Sequence, residues 1–325
     1  MINAGAAFGL LILAMPLSAL CAIGPQAVAH SLEASGITYY VDSSLPDINP
    51  ASGTPDCTVY NPASFECGGG NALAFATIAD LNAITFQPGD QILFRRGEIW
   101  RDQLTDSPGK GGYSGTANAS IQIGSFGPSG QPLPIISGAN LLSAWSSQNI
   151  PTSTGQMTVY SAPYTVLQGC GRDYLPCEYS VAPSQVFSDG ALLQQSTGGA
   201  SSLGLGQWYI DTVNALVWVR TPNDDSPSDH LIEASQRDFC VSIGNRAFIS
   251  ISDIQVEKAA LDGIYAGWDA GALEPFNTID DSAAASPSSP SSASGTRGGA
   301  ASWAVSRPGR WLYWADRVSA LPIPG

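Results

Sequence analysis

An all-β fold built from short strands that coil is what this sequence predicts, and three observations carry the expectation. Glycine (35) and proline (23) are abundant, with apolar side chains in brief runs between them, a composition of many strands and turns rather than of helix bundles. The segment 86–104, FQPGDQILFRRGEIWRDQL, sets a Pro-Gly-Asp turn before a buried-type run and a glycine after it. Between Phe239 and Ala266 the alternation of apolar residues shifts by one at Ser252-Asp253. In a straight strand that shift would turn the wrong face inward, so it reads as a tight corner between two sheets of one coil.

The first 29 residues carry no charge, and Phe8–Met15 is an apolar run too short to span a bilayer. Ala27-Val28-Ala29 offers a small-x-small cleavage site, so residues 1–29 are expected to be a secretory signal peptide. A first strand follows in ITYYV, then a loop rich in Asp, Pro, Gly and Ser. Leu73, Phe75, Ile78, Leu81 and Ile84 recur at three- and four-residue spacing, which predicts a short one-sided helix covering the open end of the coil. Further strands are expected at Ile121–Ile123, Leu133–Ile136, Met157–Tyr160, Tyr164–Leu167 and Gln185–Phe187, as successive rungs. Gln207–Arg220 reads as a hairpin inserted between them. Its Trp208, Tyr209 and Trp218 are candidates for stacking against sugar rings, or else pack the hairpin onto the coil.

Past residue 281 the character changes. From Ser282 to Ser302 every residue except Thr296 and Arg297 is Ser, Ala, Gly or Pro, a composition that cannot bury a core. Residues 282–325 hold four arginines against Asp316 alone, a net of +3 that leaves −17 for the remainder of a chain at −14. A disordered tail is expected there, either a linker with a surface anchor or the product of a slipped reading frame, with the coil stopping early.

The 325 residues, 44% hydrophobic and 12% charged, allow one large domain or two small ones. Once a signal is removed, Cys57, Cys67, Cys170, Cys177 and Cys240 remain. Cys57 with Cys67 and Cys170 with Cys177 are the economical pairings in an oxidising compartment; buried free thiols are the alternative. A zinc site is disfavoured, because no CxxC occurs and His30 and His230 are the two histidines. The net charge of −14 argues against nucleic acid and anionic membrane surfaces as partners, both of which want basic patches. It leaves room for an acidic polysaccharide bridged by divalent cations. No GxSxG, Walker or HExxH signature is present, which removes serine-hydrolase, nucleotide and zinc-protease chemistry.

YYVDSS at 39–44, the segment 86–104, SIQIGSFGPSGQPLPIISGA at 120–139 and AFISISDIQVEKAALDGIYA at 247–266 together resemble bacterial secreted proteins of the right-handed parallel β-helix, or pectate-lyase-like, superfamily. The resemblance covers about Tyr39 to Ala266. It implies a parallel β-helix over residues 37–281, a monomer secreted or held at the cell surface, and a polysaccharide partner. Polysaccharide lyases, glycoside hydrolases, uronan epimerases and binding or adhesive proteins all belong to that superfamily.

A lyase must neutralise a uronate carboxylate and remove a proton beside it, which calls for a cation and a base on neighbouring rungs. Lys110 and Lys258 are the two lysines. Lys258 falls beside Asp253, Glu257 and Asp262 on successive turns, so it is the candidate base, with the three acids as candidate Ca2+ ligands. Ordinary solvated turn charges are the plainer reading. Arg95, Arg96, Glu98 and Arg101 are expected to form surface ion pairs at the end of the coil. A hydrolase would instead need two carboxylates facing one another across about 5–10 Å. The leading expectation, which the resemblance implies, is a secreted protein that binds and cleaves an acidic or plant-type polysaccharide by β-elimination or hydrolysis; a non-catalytic carbohydrate-binding or adhesive scaffold, or an inactive truncated fragment, is the alternative.

Overall fold

The computed structural model describes residues 36–105, 114–153, 155–165, 167–169, 179–181, 183–244, 246–266, 278–280, 283–285 and 301–302. The expected signal peptide at 1–29 and the Cys170/Cys177 pair lie outside them. Among the described residues no helix is long and apolar enough to cross a membrane.

The fold is all-β, and its sheets mix parallel and antiparallel pairs. From Gln91 the chain visits three sheets in turn: Gln91–Arg95 in the first, Ile99–Trp100 in the second, Leu104–Thr105 in the third, then Ile121–Phe126 back in the first. Ile135–Ser137 returns to the second sheet. After a long excursion, Phe239–Gly244, Ile249–Ser252, Gln255–Glu257 and Asp262–Ala266 repeat the circuit from the third. Register places like over like. Ile92 lies beside Ile123 and Ile123 beside Ile251; Trp100, Ile136 and Val256 follow one another in the second sheet, and Leu104, Val241 and Ile264 in the third. All nine side chains are buried in one cluster, and each contributes roughly 1.5–3 kcal/mol on burial. These parallel ladders draw on strands far apart in sequence, with Val/Ile-rich inward faces.

The corner expected at Ser252-Asp253 is present. Asp253 has φ 54°, the left-handed region, as the chain leaves the first sheet for the second. Lys258, φ 55°, makes the next corner, before the third sheet. Aspartate tolerates this conformation better than most residues, whereas lysine adopts it against its preference.

The helix expected over 73–84 is shorter than its periodicity suggests. Ala72–Phe75 is a strand, pairing parallel with Thr38–Val41, and Ile78–Leu81 alone is helical. Thr77 caps that single turn, its hydroxyl oxygen accepting from Asp80 N. The strand forms because the edge of Thr38–Val41 offers backbone partners, which outweigh a local helical pattern. Phe75, Ile78 and Leu81 are nonetheless all buried in the coil's core, so the apolar face was real. Cys57–Asn61 then pairs antiparallel with Ala72–Phe75 and with Glu66–Cys67, and Cys57 and Cys67 are joined by a disulfide.

The inserted region is far larger than the hairpin at 207–220. It runs from Ala139 to Ser235, holding Met157–Tyr160 and Val186–Ser188 in antiparallel sheets rather than as rungs. The hairpin explains this: Leu216–Arg220 exposes an edge that Tyr160–Pro163 fills. Trp208, Val217, Val219, Val186 and Ile232 form a second core there. The excursion starts and ends at Gly138, whose carbonyl accepts from the backbone N–H groups of Gln236 and Arg237 at 3.0 and 3.1 Å. A Cβ on Gly138 would fall 2.6 Å from Ala259 Cα, so only glycine lets the strands approach this closely.

The expected break at 282 is not where strand pairing ends. Ala283–Ala285 pairs with Gln255–Glu257 and Ala301–Ser302 with Tyr265–Ala266. The other residues of 282–325 lie outside the described set.

Candidate functional site

The junction between the coil and the inserted sheets holds a cluster of two carboxylates and two cations. Glu233, on Ile232–Ser235 of the insert, is 1% exposed. Its Oε1 accepts from Arg101 Nη2 at 2.9 Å and Nε at 3.2 Å, and its Oε2 from Lys258 Nζ at 2.5 Å. Lys258 also contacts Glu257 Oε1 at 3.1 Å and stands over the Phe187 ring. Burial works against the ammonium charge, but the carboxylates of Glu233 and Glu257 outweigh it and hold the Lys258 pKa above its ordinary value. Lys258 is therefore a positively charged strut and a poor proton acceptor at neutral pH.

Of the expected cation ligands, the two whose side chains are described are each engaged by a basic residue. Asp253 pairs with Arg96 at 3.0 Å and Glu257 with Lys258. Asp262 opens the strand Asp262–Ala266, and its side chain lies outside the described residues. Glu233 and Glu257 share the Lys258 ammonium. Glu233 is sealed from solvent, so a substrate cannot reach it.

The three aromatics separate by strand parity. Trp208 is 1% exposed inside the insert's core, where no sugar can touch its ring. Tyr209 and Trp218 face one another across the hairpin, half-buried, packed on the opposite side around Met157, Val159 and Leu203. Of the four charges expected on the surface at 95–101, Arg95 bonds the buried Asp42 at 3.0 Å and Arg101 the buried Glu233. Both are linchpins rather than solvated pairs. Glu98 lies beside them, where burial first, and then the charge of Asp42, lift its carboxyl to about 6 despite the Ser43 N–H it accepts.

Beside the junction opens a cleft of about 460 Å³, lined by Asn140, Leu141, Leu142, Ser143, Ala144, Pro163, Tyr164, Thr165 and Gln236. The sequence reading missed it entirely, because its walls come from three separated stretches that only the insertion brings together. Its polar groups are held in place. Asn140 Nδ2 donates to Gln236 Oε1 at 2.8 Å, Gln236 Nε2 donates to Thr165 O, and Arg237 Nη1 donates to Asn140 Oδ1 at 2.8 Å. Arg237 is itself steadied by Asp102 at 3.8 Å; burial pushes the Asp102 carboxyl up and the guanidinium down. None of the lining residues is charged, and Tyr164 supplies an aromatic wall.

A third cluster lies near the coil's first end. Asp47, Asp56 and Asp80 each offer a carboxylate oxygen, all within 4.8 Å of one another. Desolvation, then the charges of Asp80 and Asp56, raise the Asp47 pKa. Thr77 and Asp80 form a capping-box pattern readable in the sequence, but nothing local links them to Asp47.

No family model matches the chain, and no curated protein matches it. Among solved structures it is similar to XylC in complex with xylose, at 14% identity and a TM-score of 0.47, covering 76% of this chain and 40% of that one. It is also similar to a glycoside hydrolase (7% identity, TM-score 0.41, covering 69% and 51%). The native GH136 lacto-N-biosidase from Eubacterium ramulus gives 14% identity and a TM-score of 0.29, covering 76% and 26%. The chain thus spans about half or less of the length of each of these molecules.

Proposed function

We propose that this chain is an exported carbohydrate-binding protein, a right-handed parallel β-helix carrying an inserted antiparallel unit, and that it holds a neutral oligosaccharide in the cleft between the two. The observation that carries the reading is the cleft's lining: the Asn140 and Gln236 amides, fixed by their own hydrogen bonds, beside serine, threonine and tyrosine, with no charge among the lining residues. Sugar hydroxyls both donate and accept, so preset Asn, Gln, Ser and Thr groups match them, and an apolar or aromatic wall takes the ring's C–H face. The disulfide Cys57–Cys67 suits an oxidising compartment. The stacked parallel ladders are what a β-helix requires.

Binding is favoured over cleavage by the chemistry of the junction. Arg101 and Lys258 are already spent on buried Glu233, Arg220 is paired with Asp224, and Arg237, beside the cleft, is bonded to Asn140 and paired with Asp102, so each is already engaged by the protein's own groups rather than left to neutralise a uronate. A chain at −14 would also repel an uncomplexed polyanion. The test is a panel of neutral and uronic oligosaccharides titrated calorimetrically against the full chain, with reducing ends and unsaturated uronates assayed alongside. Micromolar to millimolar binding of a neutral glycan is expected, weakened about tenfold by Asn140→Ala (~1.4 kcal/mol) and blocked by Ser143→Trp. Binding untouched by both variants moves the site elsewhere, and release of product makes the protein an enzyme.

A further inference from the structure

The geometry points to a binding site for Ca2+ formed by Asp47, Asp56 and Asp80, which ties the loop between Thr38–Val41 and Cys57–Asn61 to the helical turn at the coil's first end. It is independent of the cleft and of the acids at 253, 257 and 262. Oxygens that ligate one calcium at 2.3–2.6 Å lie at most about 5 Å apart, and one oxygen from each of these carboxylates falls within 4.8 Å of the other two.

Asp80 supplies the second, separate indication. The residue is 0% exposed, and while its Oδ2 accepts from the Thr77 hydroxyl at 2.6 Å, its Oδ1 is buried with no hydrogen-bond partner. A carboxylate oxygen is seldom buried without a donor or a cation. Asp56 is held for the same role: its Oδ1 accepts from the backbone N–H groups of Ile48 and Asn49, its Oδ2 from that of Ala76. Among the described residues no lysine or arginine pairs with any of the three; Arg95, at the same end, is committed to Asp42 and Glu98. Three acids converge without a countercharge. The all-oxygen donor set selects a hard cation over zinc or copper, and donors drawn from an irregular loop, a strand end and a helical turn suit the variable coordination of Ca2+ better than Mg2+, which demands near-octahedral geometry.

The full chain, stripped with EGTA, would be titrated with Ca2+ alone by calorimetry and by thermal melting. A rise in Tm of roughly 5–10 °C is expected at a hundredfold excess over the dissociation constant, and a smaller one with Mg2+. Asp80→Asn and Asp47→Asn should each weaken Ca2+ binding at least about tenfold, while Asp253→Asn keeps the wild-type response. Should Asp80→Asn not fold, Asp47→Asn decides, since that side chain is exposed and its loss leaves the core intact. No Ca2+-dependent rise in the wild-type chain, or an undiminished rise in Asp47→Asn, overturns the site. An equal rise with Mg2+ overturns its assignment to calcium.

Discussion

Glu233 is 1% exposed, with Arg101 on one carboxylate oxygen and Lys258 on the other. An ionised carboxylate at that depth is tolerable only while both cations stay. Lys258→Met is therefore expected to cost about 2–3 kcal/mol, less than the full penalty of a bared charge because Arg101 remains. Adding Glu233→Gln should recover part of that loss, the two changes being non-additive. Urea unfolding midpoints of the two single variants and the double variant check this. A Lys258→Met protein as stable as wild type would mean that Arg101 alone neutralises Glu233. At this scale the sequence was partly legible. Lys258 stood out among nearby acids, yet its principal partner comes from across the insertion, and no spacing rule links Glu233 to it. Period-two alternation, by contrast, already separates Trp208 from Tyr209 and Trp218, and applying it strictly would have removed Trp208 from any sugar-facing surface. The trio Asp47, Asp56 and Asp80 was illegible, since a loop, a strand edge and a helical turn supply one residue each.

Among the elements, the loops of the insert are drawn together by His230, which ends the turn Pro227–Asp229. Its Nδ1 meets Asp189 Oδ2 at 2.6 Å and its Nε2 meets Asp225 Oδ1 at 2.9 Å. The bonds to Asp189 and Asp225 raise the imidazole pKa above its ordinary 6.5. The Leu231 N–H and then His230 lower that of Asp189 below 3.8, and the Thr221 hydroxyl and His230 lower that of Asp225. A raised histidine contributes fully below its unfolded value and loses that contribution as pH climbs through the folded one. A lowered aspartate contributes fully above its unfolded value and fades as pH falls through the folded one. The clamp is thus complete between about pH 4 and 6.5 and weakens on either side. Thermal melts of wild type and His230→Gln across pH 4–9 should show the largest gap near pH 5–6, closing above neutrality; a gap independent of pH would show that packing, not charge, holds the loops. The same scale explains which elements the sequence could disclose. The phase shift at Ser252-Asp253 announced its corner because inward-facing positions are apolar on both sides of it. The strands at 157–160 and 186–188 could not be assigned, because alternating apolar residues suit a rung and an antiparallel sheet alike, and only the partner edge decides. Ala72–Phe75 looks helical for a related reason: Leu73, Phe75 and Ile78 have helical spacing, and the edge of Thr38–Val41 with which the strand pairs lies outside any local window.

For the molecule as a whole, the ends of the coil matter most, since a stack of parallel ladders offers unpaired backbone at each terminus. At the first end, Ala72–Phe75 and the disulfide-linked hairpin cover the sheet. At the other, Thr278–Asp280 covers Ser250–Ser252, Ala283–Ala285 covers Gln255–Glu257, and Ala301–Ser302 pairs with Tyr265–Ala266. A terminal strand works through its backbone, by occupying the N–H and C=O groups of the strand it covers. A chain ending at Asp281 keeps the first of these covers and loses the other two. It is expected to melt several degrees lower, at roughly 2–4 °C per kcal/mol lost. It should also self-associate through the bared Gln255–Glu257 and Asp262–Ala266 edges despite a residual charge of −17. Light scattering across a concentration series, comparing this chain with residues 1–325, separates the outcomes. Growth of oligomers in the shortened chain alone means that the low-complexity stretch seals the coil. If both chains stay monomeric and melt together, those two pairings contribute nothing, and the coil's own last turn suffices to close it.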